Sequence, residues 1–560
     1  MVLLPRASSR VGGQSRCTLD GELHQTYWLR LRRLRKERDM EAVIDPGLDA
    51  LLSKWDTDGP GLVAAVLRHG EVVHCRGYGM ASLEHDIRIG PGTAFRVASI
   101  TKHFLCALAL MLEEEGVLSL DATAADLFPA LARHPHPPTL RHMLTNTAGI
   151  TDFFDVLELS GAGAERPVSR AEMDDMLQRQ ETLNFSPGDS FSYSNYGFRI
   201  VSAVIEQKTG RDLGDLLHER IFAPLGMWHS RLAREDRILV DRLATGHITL
   251  EGHHWRSSHG LSMDGEAAIV STVEDLIAWE RNLLAPKVGS KELFARQSAP
   301  LRYNDGTTGI YGLGLIAHDW RGSRLSGHGG LLPGFVSQIV RLPEHAVSVI
   351  VMANSSAIES AAIAFRLAQH VLGDKAALQG TTAALRDRLG LYLDPARDEL
   401  LELALDGDQV VCTAQGIRNA VEPLGGDRWR LMTVVFDRVL SLEGNALTLI
   451  ECGKPHALQK LAPAADSGRV LGTYYSAELR AHHTVAAENG GLRLHVQGEL
   501  GRNTFNLEPL APDLYRVRRL AAHWLPFEPV VRVVGDGTGP AQALRFTTSR
   551  IKGLLARRVA

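Results

Sequence analysis

The sequence predicts an α/β (α+β) chain in which a large domain mixing helices with antiparallel strands precedes two small antiparallel β units. Three observations carry this. A long apolar helix follows Ser99-Ile100-Thr101-Lys102, and a run of alternating strands begins near Tyr311. The third is an internal repeat: Gly390-Leu391-Tyr392 with Gly472-Thr473-Tyr474, Gln415-Gly416 with Gln497-Gly498, and Glu422-Pro423-Leu424 with Glu508-Pro509-Leu510. The last pair is set four residues further apart in the second copy. Each copy is therefore one small β unit, barrel or sandwich, and the second carries an insertion between Gly498 and Glu508.

The 560 residues, 44% of them hydrophobic, suffice for several domains with sizeable cores. A net charge of −4 gives no support for binding nucleic acid or a membrane surface. No apolar run approaches the ~20 residues of a membrane span. Cys17, Cys75, Cys106, Cys412 and Cys452 are scattered and unpaired by motif, so neither a disulfide framework nor a metal site is expected, and a reducing, cytoplasmic compartment is. Residues 1–39 include the basic stretch Leu29 to Arg38 without an apolar signal core, and read as a disordered or spurious extension.

In chain order, Ile44, Leu48, Leu51, Leu52 and Trp55 recur at helical spacing. Gly61 to Leu67 and Val72 to His74 flank a turn at Arg68 to Glu71 and read as a hairpin. The run from Phe104 to Leu112 is too apolar for a surface helix and ends at Gly116. His134 and His136 lie in a proline-rich loop with no third ligand and read as solvated. Leu140 to Ile150 reads as a short helix with a small-residue turn, and the region up to Glu181 as a polar, helical surface excursion. Tyr193-Ser194-Asn195 stands immediately before a helix that Gly210 stops. Antiparallel strands over Leu313 to Val351 and a helix over Glu359 to Leu372 close the large domain, and Asp374 to Leu385 reads as a linker.

The chemistry centres on Ser99 and Lys102, which share one face of a helical first turn. A serine hydroxyl needs a base, and a lysine desolvated by an apolar helix can be neutral often enough to serve. Ser-x-x-Lys arises about once by chance in such a chain, and Ser549 to Lys552 repeats it with no apolar helix behind it. The first copy is followed in order by Tyr193-Ser194-Asn195 and by His328-Gly329-Gly330 in the strand meander. With these motifs the chain resembles the serine β-lactamase and penicillin-binding-protein superfamily, in its class C-like branch. His-x-Gly in place of Lys-Thr-Gly, within Gly327 to Phe335, and two C-terminal β domains make it most similar to the D-stereospecific aminopeptidases of peptidase family S12.

The resemblance implies a β-lactamase/transpeptidase-like catalytic domain over 40–374, with a central antiparallel sheet and a helical subdomain. Small β-barrel domains over 386–465 and 466–560 follow. It implies Ser99 as acylated nucleophile, Lys102 as proton partner, Tyr193 as donor to the leaving amine, and Asn195 orienting Lys102 and the substrate carbonyl. The backbone N–H groups of Ser99 and Leu331, with Gly329 and Gly330 beside them, would form the oxyanion and substrate-binding site. His328 replaces a permanent cation by an imidazole that is mostly neutral at pH 7, which weakens recognition of a substrate carboxylate. No cofactor or metal is implied; the partners are a small peptide, amide or ester, and a homodimer is suggested.

The family also implies a loop of the last domain entering the site with an aspartate for the substrate ammonium. Here that region reads Arg518 to Leu525, with Asp513 and Glu528 the nearest carboxylates and Trp524 offering an apolar wall. The expected function is release of an N-terminal D-residue such as D-alanine through an acyl-enzyme. The alternatives are an esterase or amidase indifferent to a free amine, and a non-catalytic binding protein of the same fold.

Overall fold

The structure, a computed structural model, describes residues 40–163, 166–373, 380–432, 438–462, 468–520, 527–537 and 539–559. The N-terminal extension, Cys17 and Trp524 lie outside the described residues, as does the first half of the linker; Ala383–Arg386 of that linker is one helical turn.

Helix α1 (Pro46–Leu52) starts where the Asp45 carboxylate accepts the Leu48 N–H at 2.9 Å and Pro46 supplies a preset first turn. Strands β1 (Leu62–Arg68) and β2 (Glu71–Tyr78) are joined by His69 and Gly70, both at positive φ (53° and 81°), the two-residue turn whose twist matches a hairpin. Helix α2 (Thr101–Glu114) buries eleven of its fourteen residues and runs through the middle of the domain. It is followed by α3 (Phe153–Leu159) and α4 (Asn195–Thr209), which ends on Gly210 at φ 65°.

The meander supplies β3 (Ile316–Trp320), β4 (Ser323–Leu332), β5 (Phe335–Leu342) and β6 (Val347–Ala353), and α5 (Ser360–Leu372) closes the domain. The six strands form one antiparallel sheet in the order β3-β4-β5-β6-β1-β2. Every residue of β5 and β6 is buried. Leu48 and Leu52 of α1 join Ile363, Ala364 and Leu367 of α5 in one apolar cluster on one face of the sheet. The turn carrying Ser99 lies at β4 and β5, where Ser337 Oγ donates to Val97 O at 2.9 Å.

The repeat is visible as two barrels. In the first, Lys454–Ala457 pairs with Ala446–Glu451, while Gln459–Lys460 of the same segment pairs with Gly390–Asp394 and so brings the ring round. The second is a closed eight-stranded barrel from Gly472 to Arg558. Equivalent tyrosines mark the equivalence: Tyr392 OH donates to Arg388 O at 2.6 Å and Tyr474 OH to Val470 O at 2.9 Å, four residues back in each copy. The predicted insertion lengthens one strand, β7 (Gly501–Ala511), against its seven-residue counterpart Ile417–Pro423.

That insertion is one of the places where the second barrel meets the large domain. A Cβ on Gly498 would stand 2.3 Å from Ser160 O, and one on Gly501 2.6 Å from Gly161 O, so two backbones touch at a distance only glycine permits. Asn503 and Arg519 of the barrel reach Glu158 on α3, at 3.4 and 2.9 Å. The polar surface excursion expected up to Glu181 is corrected for its first helix: all seven residues of α3 are buried, Asp155 and Glu158 included, whereas Arg170–Gln178 buries only Met173, Met176 and Leu177. The sequence pattern looks exposed because the partners of these carboxylates, Asn503 and Arg519 for Glu158 and Thr548 for Asp155, come from 345 to 393 residues downstream.

Candidate active site

Strand Ala94–Arg96 pairs with Ile269–Thr272, and Val97 N–H continues the ladder to Ile269 O at 3.0 Å. Ala98 then turns the chain at φ 49°, a left-handed conformation costly for a residue with a side chain. Ser99 therefore stands on a tight turn, Ala98–Ile100, just ahead of α2 rather than on its first α-helical turn. Gly330 of β4 faces that turn, and a methyl group there would lie 2.3 Å from Val97 O and 3.0 Å from Ala98 Cβ. A glycine at this position is what lets the strand approach the turn that carries Ser99.

Lys102 is fully buried. Its Nζ is 3.0 Å from Ser99 Oγ, 2.8 Å from Asn195 Oδ1 and 2.7 Å from the backbone oxygen of Glu266. As an ammonium it donates to all three. As a free amine it donates to Asn195 and Glu266 and turns its lone pair to the serine hydroxyl. Burial pulls its pKa down to about 7, with the carboxylates of Glu266 and Asp152 opposing, so both forms are accessible near neutrality.

Tyr193 OH donates to Ser99 Oγ, also at 3.0 Å, and burial raises its pKa above the ordinary tyrosine range. The serine oxygen thus lies between two proton-carrying groups.

Asp152 holds this array together. Its Oδ2 accepts the backbone N–H of Asn195 at 2.6 Å and the Asn195 side-chain Nδ2 at 2.8 Å. Because the amide nitrogen is held there, the amide oxygen must face Lys102. Its Oδ1 caps α3 through Phe154 N–H at 3.1 Å and accepts Arg550 Nη1 at 2.9 Å. The carboxylate is fully buried. Asp152→Ala would strand the guanidinium and three other donors, and breaking a buried charged pair costs about 3–5 kcal/mol. Urea unfolding is expected to show a midpoint lowered accordingly; an unchanged midpoint refutes the role.

His328 sits on β4 with no exposed surface, its ring centroid 6.1 Å from that of Tyr193. Nδ1 lies 2.5 Å from Gly329 O, which makes it the protonated nitrogen, and Nε2 accepts from Tyr311 OH at 2.9 Å. Both nitrogens are engaged within the protein. Burial and nearby Lys102 push its pKa down to about 3, so it is a neutral ring throughout the physiological range. Leu331 follows Gly329 and Gly330 along β4 and is 37% exposed.

The fold thus gathers Ser99, Lys102, Tyr193 and Asn195 into one hydrogen-bonded set, with His328 packed against Tyr193 and Gly330 against the serine turn. The carboxylates nearest the expected specificity loop are elsewhere. Asp513 is bonded by Arg469, and Glu528 lies 3.6 and 3.5 Å from Arg516 and Arg518. Residues 521–526 of that loop lie outside the described residues.

Asp152, Glu266, Tyr311 and Arg550 are members of the site that the sequence analysis did not single out. Tyr311 carries a usable signal, the run Gly309-Ile310-Tyr311-Gly312-Leu313-Gly314: a Cβ on Gly312 would stand 2.6 Å from Gln297 O, and one on Gly314 2.7 Å from Lys102 O. Arg550 belongs to the second Ser-x-x-Lys stretch. It reaches the site as part of a barrel turn.

Comparison with known proteins places the chain in a family. Residues 40–372 match the family described as Beta-lactamase. A D-aminopeptidase of Cereibacter sphaeroides (strain ATCC 17029 / ATH 2.4.9) is 31% identical over 492 residues, 86% of this chain and 91% of that protein. One from Brucella anthropi is 31% identical over 80% of this chain and 84% of its own length. Among solved structures, the octameric penicillin-binding protein homologue from Pyrococcus abyssi superposes with a TM-score of 0.55 at 24% identity, covering 74% of this chain and all of that one. The protein is a serine hydrolase, and its chain belongs to the β-lactamase family alongside relatives named D-aminopeptidase.

Proposed function

We propose that this protein is an acyl-enzyme hydrolase that releases an N-terminal D-residue, D-alanine-like, from small peptides, amides or esters, using the catalytic domain of residues 40–374. The observation that carries the reading is Ser99 Oγ held at 3.0 Å from both Lys102 Nζ and Tyr193 OH. Neutral Lys102 takes the serine proton as Oγ attacks the carbonyl carbon. The oxyanion formed faces the N–H groups of Ser99 and Leu331. Tyr193 protonates the leaving amine and is reprotonated by Lys102. Water then attacks the ester, its proton passing through the same pair back to Ser99 Oγ. His328, neutral and bonded on both sides, supplies no cation for a substrate carboxylate. The names of the relatives support the D-residue preference.

A panel of D- and L-alaninamide, N-acetyl-D-alaninamide and p-nitrophenyl acetate tests the substrate class. D-alaninamide is expected to be turned over well ahead of its L and acetylated forms. A second reading, an esterase or amidase indifferent to the amine, is favoured by Asp513 and Glu528 both being held by arginines; equal turnover of the acetylated amide would select it. Failure of a fluorophosphonate to label Ser99 would instead leave a binding protein.

Turnover of p-nitrophenyl acetate, which does not titrate, is expected to rise about tenfold per pH unit below pH ~7 and to level above it, as Lys102 becomes the free amine. A flat profile between pH 5 and 8 excludes Lys102 as the base. The buried thiols of Cys75, Cys106, Cys412 and Cys452 support a reducing, cytoplasmic setting. Light scattering tests the homodimer.

A further inference from the structure

The turn between strands β8 (Ala543–Thr547) and β9 (Lys552–Arg558) of the second barrel projects into the catalytic domain. It is braced internally, since Thr548 Oγ accepts the N–H groups of Arg550 and Ile551 at 3.1 and 2.9 Å. It is also clamped from outside. Asn184 Nδ2 donates to Arg550 O at 2.9 Å, Lys552 N–H donates to Asn184 Oδ1 at 2.8 Å, and Thr548 Oγ donates to Asp155. The Arg550 backbone is thereby fixed before its side chain makes any contact.

That side chain then makes two contacts with the reactive array. Nη1 donates to Asp152, the carboxylate that also holds Asn195, and the guanidinium carbon lies 5.3 Å from the centroid of the Tyr193 ring. A purely structural ion pair has no need of the second contact. We propose that Arg550 is a positioning residue for hydrolysis: anchored in the second barrel, it holds Asp152 and the Tyr193 ring, and through them sets Asn195, Lys102 and the phenol hydroxyl around Ser99 Oγ. The proposal rests on the acyl-enzyme reading above. It makes the second barrel a part of the active site.

The charges around the array give the proposal a measurable signature. Tyr193 faces Arg550, Lys102, Asp152 and Glu266, with the neutral rings of Tyr311 and His328 beside it. Lys102 is acted on by Glu266, Asp152, Arg550 and Cys106, and Arg550 by Asp152, Asp155 and Tyr193. Of these, Arg550 is the cation that favours the unprotonated forms of both Lys102 and Tyr193. Removing its charge leaves Asp152 without this cation, while Glu266 keeps Arg199 at 3.4 Å, and Lys102 and Tyr193 then hold their protons to higher pH.

The test is the rate at which a fluorophosphonate labels Ser99 in the full-length chain, measured from pH 5 to 9 for the native enzyme, Arg550→Gln and Arg550→Lys. Arg550→Gln is expected to label about tenfold to a hundredfold more slowly at pH 7, with its acid limb moved to higher pH. Arg550→Lys, which keeps the charge, is expected to retain the native limb at an intermediate rate. A Gln variant with native rate and limb overturns the proposal. So does slow labelling with an unmoved limb, which would mark a structural role only. Should the Gln variant melt below the assay temperature, a displaced limb in Arg550→Lys overturns it and a native limb upholds it. A native enzyme left unlabelled at Ser99 overturns the acyl-enzyme reading and this proposal together, which distinguishes the two failures.

Discussion

Ser99→Ala is expected to lower kcat/KM for D-alanine p-nitroanilide by about 10⁶-fold, because loss of the nucleophile of a linked array costs about as much as loss of the whole array. The effect should be chemical and not structural. The Ser99 hydroxyl contributes one oxygen that accepts from Lys102 Nζ and Tyr193 OH, while Lys102 keeps Asn195 and Glu266 as acceptors. Lys102 and Tyr193 each lose one acceptor, at a cost of about 1 kcal/mol apiece, so the melting temperature should shift by a few degrees at most. Turnover retained above about 1% of native would place the nucleophile elsewhere.

What could be read from the sequence depended on how local the cause was. Ser99, Lys102, Tyr193 and Asn195 stood out because each sits at or just before the start of a helix whose apolar periodicity announces it, and the order of the motifs carries the resemblance that implies their grouping. Strands β3 to β6 were legible because buried antiparallel strands separated by turn residues have a short-range pattern. Asp152 was not, since its partners Asn195 and Arg550 lie 43 and 398 residues away. Arg550 was the harder case. Its neighbourhood repeats the Ser-x-x-Lys spacing by chance, and nothing in a Ser-Arg-Ile-Lys turn says that the arginine, not the serine or lysine, reaches Asp152. The four-residue insertion in the repeat was seen, but its purpose, bringing β7 against Gly161 and burying α3, required the docked barrel.

The barrels therefore do different work. The first lies beside the catalytic domain and is tied to the second by Lys552–Glu399 and by Asp398 with Arg532 and Arg545. The second carries the insertion and the Arg550 turn. A sequence repeat has diverged by one strand extension and one turn, and it is the second copy whose turn reaches Asp152.

The second large effect is expected from Lys102→Met, which should lower turnover of D-alanine p-nitroanilide by at least about 10³-fold by removing the general base. Its effect on stability is opposite in sense and depends on pH. The unfolded lysine titrates in its ordinary range near 10.5 and the folded one at about 7. Between those values the unfolded chain binds a proton that the folded chain does not, so the native enzyme gains stability as pH rises from 7 towards 10.5 and is penalised in full below 7. For a side chain with no exposed surface the penalty is of the order of several kcal/mol, the cost of burying an ammonium for use as a base. Methionine is free of it, although Asn195 Oδ1 and the Glu266 carbonyl lose a donor at about 1–3 kcal/mol each. Those losses do not titrate in this window. The stability of Lys102→Met relative to native should therefore be greatest at pH 6 and fall steadily towards pH 10, as read by urea midpoints across that range. A difference independent of pH would mean that Lys102 is not held near neutrality by its burial, and would remove the basis for its role as the base.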